Sequence, residues 1–372
     1  MLDIAEEDAR FLLQTIREGD ATLVLGAGAS FGSENSKRQP VKMASELAAE
    51  IARAAALPYA GESLTDVIGA AKQFLSDVQL NDIYRSEYKN TKPSEWLEQL
   101  FSYTWKRAYT WNIDDSVQNI NRRSAQARRY FNGMVDAVHE IDGKEFLQFV
   151  NLHGEISKPE LGLIMSESQY SDAISRGGHK WYRQAAQDYL AYSPIFIGSK
   201  LAEPILKSEL QRAMRDASSM QGRAYLVVPE SLTPIQKGNY RSQGIIHIQA
   251  TLESFVKWLK MQLPNGVSTA SALSAHNIRL PADDVSRLTP DERQAAWNLR
   301  PIKVAQLEAS IASATAQSKS AAGRKFYRGF APSWEVAASD IPVWLKATDD
   351  LDEALSSSLS RRDRLFVALG QA

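Results

Sequence analysis

A glycine-rich turn near the start of the chain has the residue types that let a backbone approach a phosphate. The turn follows an apolar run at residues 22–25 and reads Gly26-Ala27-Gly28-Ala29-Ser30. Glycines here remove the side chains that would keep backbone N–H groups away from a pyrophosphate. The full G-x-G-x-x-G fingerprint is missing, because Phe31 stands where the third glycine would fall. Taken alone, the motif is equally consistent with a tight turn that binds no ligand.

Two polar side chains follow a second, short β-prone run at residues 108–110. Asn112 and Asp114 are two residues apart, so in an extended segment both side chains leave the same face of the chain. With this spacing, an amide and a carboxylate can contact the same ligand. The pair alone is also typical of a turn, since Asn and Asp commonly end strands and cap helices.

His153 differs from the other four histidines because it follows a strong strand pattern, at residues 146–150, and precedes a glycine. In α/β sheets, ligands collect at the carboxyl ends of the strands, so a side chain placed there faces the crevice. An imidazole at this place can accept a proton from a ribose hydroxyl or from water. A buried, hydrogen-bonded structural histidine is the ordinary alternative.

The elements that must position these groups alternate between strand and helix. Residues 42–107 have mostly helical spacing, and strands then alternate with helices to about residue 259. We therefore expect an α/β fold, a Rossmann-like parallel sheet with helices on both faces plus a helical insertion. Between Asn112 and His153 the chain is expected to form a long helix that carries four arginines. These are Arg122, Arg123, Arg128 and Arg129.

The three polar pieces, in this order, resemble the motifs of the sirtuin superfamily, which are a G-A-G-x-S loop, a T-Q-N-I-D strand end and an H-G pair. The corresponding residues here are 26–30, 110–114 and 153–154. Two later stretches agree: residues 194–199 resemble the family's later strand and Gly-Ser turn, which holds the adenosine ribose, and residues 225–230 resemble the next strand. The resemblance covers about residues 15–260.

Several departures from the sirtuin deacylases restrict what the resemblance implies. The chain has no cysteine, so it cannot build the Cys₄ zinc site of a deacylase, and no metal is expected. The acidic and arginine-bearing stretch that follows the glycine loop in deacylases is absent from residues 33–40. Trp111 replaces the usual Gln, which places in doubt the ribose contact that Gln makes. We therefore expect that the peptide-binding half of the deacylase cleft is missing.

An NAD site without an acyl-lysine cleft is what the resemblance implies for the sirtuin-like NADase domains of prokaryotic antiviral defence proteins. These domains hydrolyse NAD to nicotinamide and ADP-ribose, and so starve an infected cell. The resemblance implies that Asn112 orients water or the ribose hydroxyls, that Asp114 holds the carboxamide and that His153 takes the proton. It further implies a set of NAD-binding residues, Gly26, Ala27, Gly28, Ser30, Phe31, Thr110, Gly198 and Ser199.

Two other functions remain open at this point. A binding module would recognise NAD or ADP-ribose without cleaving it, and a protein ADP-ribosyltransferase would pass ADP-ribose to protein instead of water. A deacylase is the least expected, because of the missing zinc ligands.

Composition is consistent with an intracellular enzyme. The formal charge of −1 argues against a general nucleic-acid binder, since phosphate neutralisation needs an excess of Lys and Arg. The first residues are acidic where a secretion signal is basic, and no apolar run approaches membrane-spanning length. We expect a cytoplasmic protein that contacts neither membrane nor nucleic acid through this domain.

The predicted organisation has three parts. Residues 1–262 form the sirtuin-like NAD-hydrolysing domain, residues 263–335 a linker and helical segment, and residues 336–372 the start of a truncated P-loop NTPase region. The apolar run at residues 365–369 before Gly370 is typical of the strand that opens a P-loop. Residues 326–330 and 332–334 resemble the segment that precedes the NTPase in proteins that join a sirtuin-like effector to a STAND-type ATPase. A phage-derived trigger, homo-oligomerisation and a lid at residues 62–84 or 167–178 are expected from it.

Overall fold

The structure is a computed structural model in which residues 1–300 form one compact unit. It describes residues 2–122, 124–139, 144–175, 180–199, 201, 203–216, 223–276, 282–289, 292–293 and 296–297. The expected NTPase region at residues 336–372 and most of the expected linker segment lie outside these residues. The domain boundary at residue 262 therefore stays a prediction.

A parallel sheet forms the centre of the described part of the chain, and its strands all run in one direction. Its strand order is β3-β4-β2-β1-β5-β6-β7. The strands are β1 (Ala21–Leu25), β2 (Arg107–Thr110), β3 (Ala127–Asn132), β4 (Phe146–Asn151), β5 (Ser193–Ile197), β6 (Ala224–Val228) and β7 (Ile245–Gln249). The expected Rossmann-like α/β fold is confirmed.

Helices cover both faces of the sheet and also fill the long connection between β1 and β2. They are α1 (Glu6–Arg17), α2 (Ala44–Ala54), α3 (Leu64–Ala71), α4 (Asp77–Tyr88), α5 (Glu95–Leu100), α6 (Glu167–Ser175), α7 (Lys180–Ala191), α8 (Pro204–Asp216), α9 (Pro234–Ser242), α10 (Leu252–Gln262), α11 (Thr269–His276) and α12 (Ala282–Arg287). No helix in the described ranges has the length and apolar character needed to cross a lipid bilayer.

The central strand β1 is apolar on both faces because each face packs against a different core. Leu23 and Leu25 belong to a core that α1, α5 and α10 complete. Val24 points to the opposite core, where α7 and α8 pack. Strands buried on both faces lack the polar alternation of a half-exposed strand, which is why the sequence pattern predicted this sheet.

The helical insertion forms a third core at the end of the sheet where the strands finish. Its helices α2, α3 and α4 bury an apolar cluster that also contains Ile113 and Ile156, which follow β2 and β4. The insertion therefore packs against the loops that carry the predicted site residues.

The expected long helix between Asn112 and His153 is wrong. Arg128 and Arg129 lie in β3, which pairs with β4 at the edge of the sheet, and Arg123 lies outside the described residues. The arginines fit an edge strand because their side chains lie along its surface: the Arg129 guanidinium lies 3.9 Å from the centre of the Phe146 ring. In β3, Phe131 packs against the core on the α7 and α8 face, whereas the ring centre of its neighbour Tyr130 lies 5.9 Å from that of Phe149 in the opposite core, as expected for successive residues of a strand.

Candidate functional site

Four loops leave the sheet at the same edge, and each carries predicted site residues. In the strand register, Leu25 pairs with both Thr110 and Ile197, and Thr110 pairs with Asn151. These are the last residues of β1, β2, β5 and β4, so the following loops lie side by side. The strand order changes direction at β1, and ligands of open α/β sheets bind outside such a point.

The glycines of the first loop allow a close approach to the loop that follows β5. The Gly28 N–H donates to the Gly198 carbonyl at 3.0 Å, and the Gly26 N–H donates to the Ile197 carbonyl at 2.9 Å. A Cβ at Gly28 would lie 2.7 Å from the Gly198 Cα. The sequence interpretation assigned these glycines to contact with a pyrophosphate, whereas the structure shows that they first of all join two loops.

Three other predicted residues of these two loops, Ala27, Phe31 and Ser199, are exposed or half-buried. Ala27 is exposed at the start of a one-turn 3₁₀ helix, Ala27–Ser30. The Phe31 side chain is 70% exposed. Ser199 is half-buried, and its hydroxyl accepts the Leu201 N–H at 3.3 Å. These positions are accessible to a ligand, and their assignment as NAD-binding residues stays a prediction.

Ser30, Asn112 and Asp114 form a hydrogen-bonded chain between the loops after β1 and β2. The Ser30 hydroxyl donates to Asp114 Oδ2 at 2.8 Å and accepts from Asn112 Nδ2 at 2.9 Å. The same Asn112 nitrogen donates to the Gly26 carbonyl at 3.0 Å. Because an amide nitrogen carries two hydrogens, both are used inside the protein, and the Asn112 Oδ1 is the atom left for an incoming hydroxyl or water.

Thr110 holds the backbone that carries Asn112. Its hydroxyl donates to the Leu25 carbonyl at 3.2 Å and accepts the Asn112 N–H at 2.9 Å. Thr110 is buried, so in this structure it positions the loop between two strands.

Asp114 is a buried carboxyl group, and burial raises its pKa above the usual value. Hydrogen bonds from Ser116 and Ser30 oppose that rise by favouring the ionised form. Each carboxylate oxygen accepts one of these bonds, the Ser116 N–H going to Oδ1 at 3.0 Å. Since each oxygen has two lone pairs, the group keeps capacity to accept a further donor such as an amide N–H.

His153 lies beyond the end of β4 and is 6% exposed. Its Nε2 is 3.4 Å from the Tyr170 hydroxyl and 3.6 Å from Glu203 Oε1. The Tyr170 ring meets the imidazole edge-on, with ring centres 5.4 Å apart, and the Tyr182 ring centre lies 6.4 Å away. The imidazole therefore borders a buried group of aromatic and acidic side chains.

The loops of Asn112 and His153 are tied together directly. The Ile156 N–H donates to the Ile113 carbonyl at 2.9 Å, and the Leu152 N–H donates to the Thr110 carbonyl at 2.8 Å. Asn112 lies between the two acceptor residues, Thr110 and Ile113, and His153 lies between the two donor residues, Leu152 and Ile156. The amide and the imidazole, remote in sequence, share one edge of the sheet.

The sequence analysis did not predict that Glu203, Tyr170 and Tyr182 are neighbours of His153. Glu203 stands before Pro204, the first residue of α8. Proline at a first helical position predicts the helix start, but nothing in the local pattern predicts that this carboxylate meets a histidine fifty residues earlier in the chain.

The tryptophan at position 111 is a packing residue. Its indole stacks on Phe196, with ring centres 6.3 Å apart and planes 19° apart, as part of the core on the α7 and α8 face. At the position where the deacylases carry Gln, this chain therefore places a packing residue.

Residues 106–248 match the family model of the SIR2-like domain, so this part of the chain is similar to that family. The matched stretch contains Asn112, Asp114, His153, Gly198 and Ser199, whereas the glycine loop precedes it. None of the curated proteins matches the chain significantly. Among the described residues, no group of three or more His, Asp or Glu side chains is arranged to hold a metal ion.

Proposed function

We propose that this chain is an NAD⁺ glycohydrolase, which converts NAD⁺ and water to nicotinamide and ADP-ribose. The observation that carries the proposal is the placement of the Asn112 and His153 loops side by side at the switch point of the sheet, joined by the bond from Ile156 to Ile113. The match to the SIR2-like domain supports NAD as the substrate.

The proposed reaction breaks one bond of NAD⁺ and forms one bond to water. The bond between ribose C1′ and the nicotinamide nitrogen breaks, and nicotinamide leaves with the electron pair. Positive charge develops on the ribose, a water oxygen bonds to C1′, and a proton of that water passes to a base. The protein must fix the sugar, hold the leaving nicotinamide and place the water on the opposite face.

The residues of the site fit these tasks. Asn112 Oδ1 accepts a hydrogen bond from water or a ribose hydroxyl, because its nitrogen is held by Gly26 and Ser30. Asp114 accepts an N–H of the carboxamide through its remaining lone pairs. His153 takes the proton of the attacking water and releases it to solvent.

The absence of cysteine supports hydrolysis over deacylation, because the paired Cys-x-x-Cys zinc motifs of the deacylases are missing from the sequence. In the wider proposal, NAD loss makes this domain the effector of an anti-phage abortive-infection system. A phage-derived trigger acts through another part of the protein, and homo-oligomerisation switches the domain on. This part of the proposal rests on the sequence resemblance.

Product analysis tests the proposal. The purified chain is incubated with NAD⁺, and small molecules and protein mass are followed by chromatography and mass spectrometry. We expect nicotinamide and free ADP-ribose in equal amounts. NAD⁺ that is bound and returned intact would identify a sensor, and ADP-ribose attached to protein would identify a transferase; either result would overturn hydrolysis.

A further inference from the structure

Glu203 is a buried carboxylate held by two hydrogen bonds, one from a backbone N–H of α8 and one from a tyrosine hydroxyl. It is 8% exposed and directly precedes α8. One oxygen, Oε2, accepts the backbone N–H of Leu206 in the first turn of that helix. The other, Oε1, accepts the Tyr182 hydroxyl at 3.0 Å. The carboxylate therefore has a fixed orientation.

The same Oε1 atom faces the imidazole of His153, 3.6 Å from Nε2. Within the part of the chain that the structure describes, the titratable side chains in contact with this ring are Glu203 before α8, Tyr170 on α6 and Tyr182 on α7. Burial and the charge of Glu203 raise the pKa of both phenols, so the tyrosines stay neutral. Glu203 is thus the group in this cluster that presents a charge to the imidazole.

We propose that Glu203 is a positioning residue for His153: it directs Nε2 and stabilises the imidazole once the ring has taken a proton. The inference rests on the proposed function, in which His153 accepts the proton of the attacking water. At 3.6 Å the pair is longer than a hydrogen bond while the ring is neutral, and it becomes an ion pair when the ring is protonated.

A purely structural role for Glu203 makes a different prediction. If the side chain only caps α8, then aspartate, a better capping residue, serves as well as glutamate. If it acts on His153, the shorter aspartate side chain withdraws the charge from the ring. Glu203→Asp therefore separates the two roles, and Glu203→Gln removes the charge while keeping the size and a hydrogen-bond acceptor.

The first measurement is the pH–rate profile of NAD⁺ cleavage. We expect Glu203→Gln to lower kcat at least about tenfold and to move the acidic limb of the profile to lower pH, because a nearby negative charge favours the protonated ring. Glu203→Asp should have a kcat and an acidic limb between those of Glu203→Gln and wild type. Glu209→Gln removes another carboxylate of α8, one that faces Arg183, and should leave the profile unchanged.

The second measurement does not need catalysis. The His153 ring is observed by NMR in protein with labelled histidine, and its signal is assigned from its loss in His153→Gln. The midpoint of its titration should fall in Glu203→Gln and stay in Glu209→Gln. An unchanged midpoint, or an aspartate variant equal to wild type, would overturn the inference. A shifted midpoint in a protein that leaves NAD⁺ intact would instead overturn the proposed function alone.

Discussion

Ser30 is the residue on which the geometry of Asn112 and Asp114 depends. Because its hydroxyl hydrogen goes to Asp114, its oxygen must accept from Asn112, and this fixes which end of the Asn112 amide faces the site. A serine in a glycine turn thus determines that the Asn112 amino group is used inside the protein and that the carbonyl oxygen is the end left for a ligand.

The buried Asp114 makes the stability of the protein depend on pH. Its pKa is raised in the folded state, so the folded protein binds this proton more tightly than the unfolded chain. Its contribution to stability is present at low pH and is lost as pH rises through the raised pKa. In Asp114→Asn this dependence disappears.

We therefore predict that the free energy of unfolding of wild type, relative to Asp114→Asn, falls as pH rises through the range above about 4, where aspartate ionises in the unfolded chain. Urea denaturation of both proteins across this range measures the difference, and the variant controls for all other titrating groups. A difference that is constant with pH would contradict the assignment.

At the scale of elements, the site depends on how closely the loops after β1 and β5 approach. Gly198 has a φ of +67°, and a Cβ there would lie 2.4 Å from the Ala29 nitrogen and from the Gly28 carbonyl carbon. Both the backbone conformation and the contact therefore require glycine. The two loops behave as one structural unit.

Gly198→Ala should destabilise the protein by more than about 2 kcal/mol, from backbone strain and overpacking together. Gly238→Ala is the matched control, because Gly238 lies inside α9 and a Cβ there meets nothing within 4 Å. This control should gain about 0.5–1 kcal/mol. Thermal and urea denaturation measure the stability of both variants. Equal stabilities would show that the loops after β1 and β5 are not packed as described.

The strands around the site were predictable because they are buried on both faces, and this leaves continuous apolar runs such as those of β1 and β5. The edge strand β3 was not predicted, because two arginines dominate its composition and their exposed position was unknown. The contact between Glu203 and His153 could not be predicted from the sequence either, since it depends on how α8 packs against the loop after β4. Asn112, Asp114 and His153 could be proposed because each follows a strand.

At the scale of the whole molecule, the SIR2-like match leaves out the strand that completes the sheet. The matched residues 106–248 include β2, β3 and β4 on one side of the sheet and β5, β6 and nearly all of β7 on the other. The strand β1, which lies between β2 and β5, precedes the matched stretch. Without β1 no strand pairing joins the two halves of the sheet, and the switch point beside β1 is lost. The complete sheet therefore includes β1, which precedes the matched stretch and leads into the glycine turn.

The helical insertion also contributes to the site from outside the matched stretch, because α2 to α4 pack on Ile113 and Ile156. Leu80→Ala, in the buried core of this layer, should cost about 2–5 kcal/mol and lower the rate of nicotinamide release. Val78→Ala, two residues earlier and 68% exposed, should change stability by less than about 0.5 kcal/mol. Denaturation and activity assays compare the pair, and a Leu80→Ala protein as active and stable as the control would refute this role.

The most direct test of the central claim is nicotinamide release from NAD⁺ by Asn112→Ala and His153→Ala. The matched controls are Asn239→Ala and His139→Ala, which remove the same side-chain types from exposed positions away from the site. The account predicts that both site variants stay folded by circular dichroism and lose at least about 99% of the rate, while the controls keep it. Undiminished release by either folded site variant would contradict the shared site at this edge of the sheet.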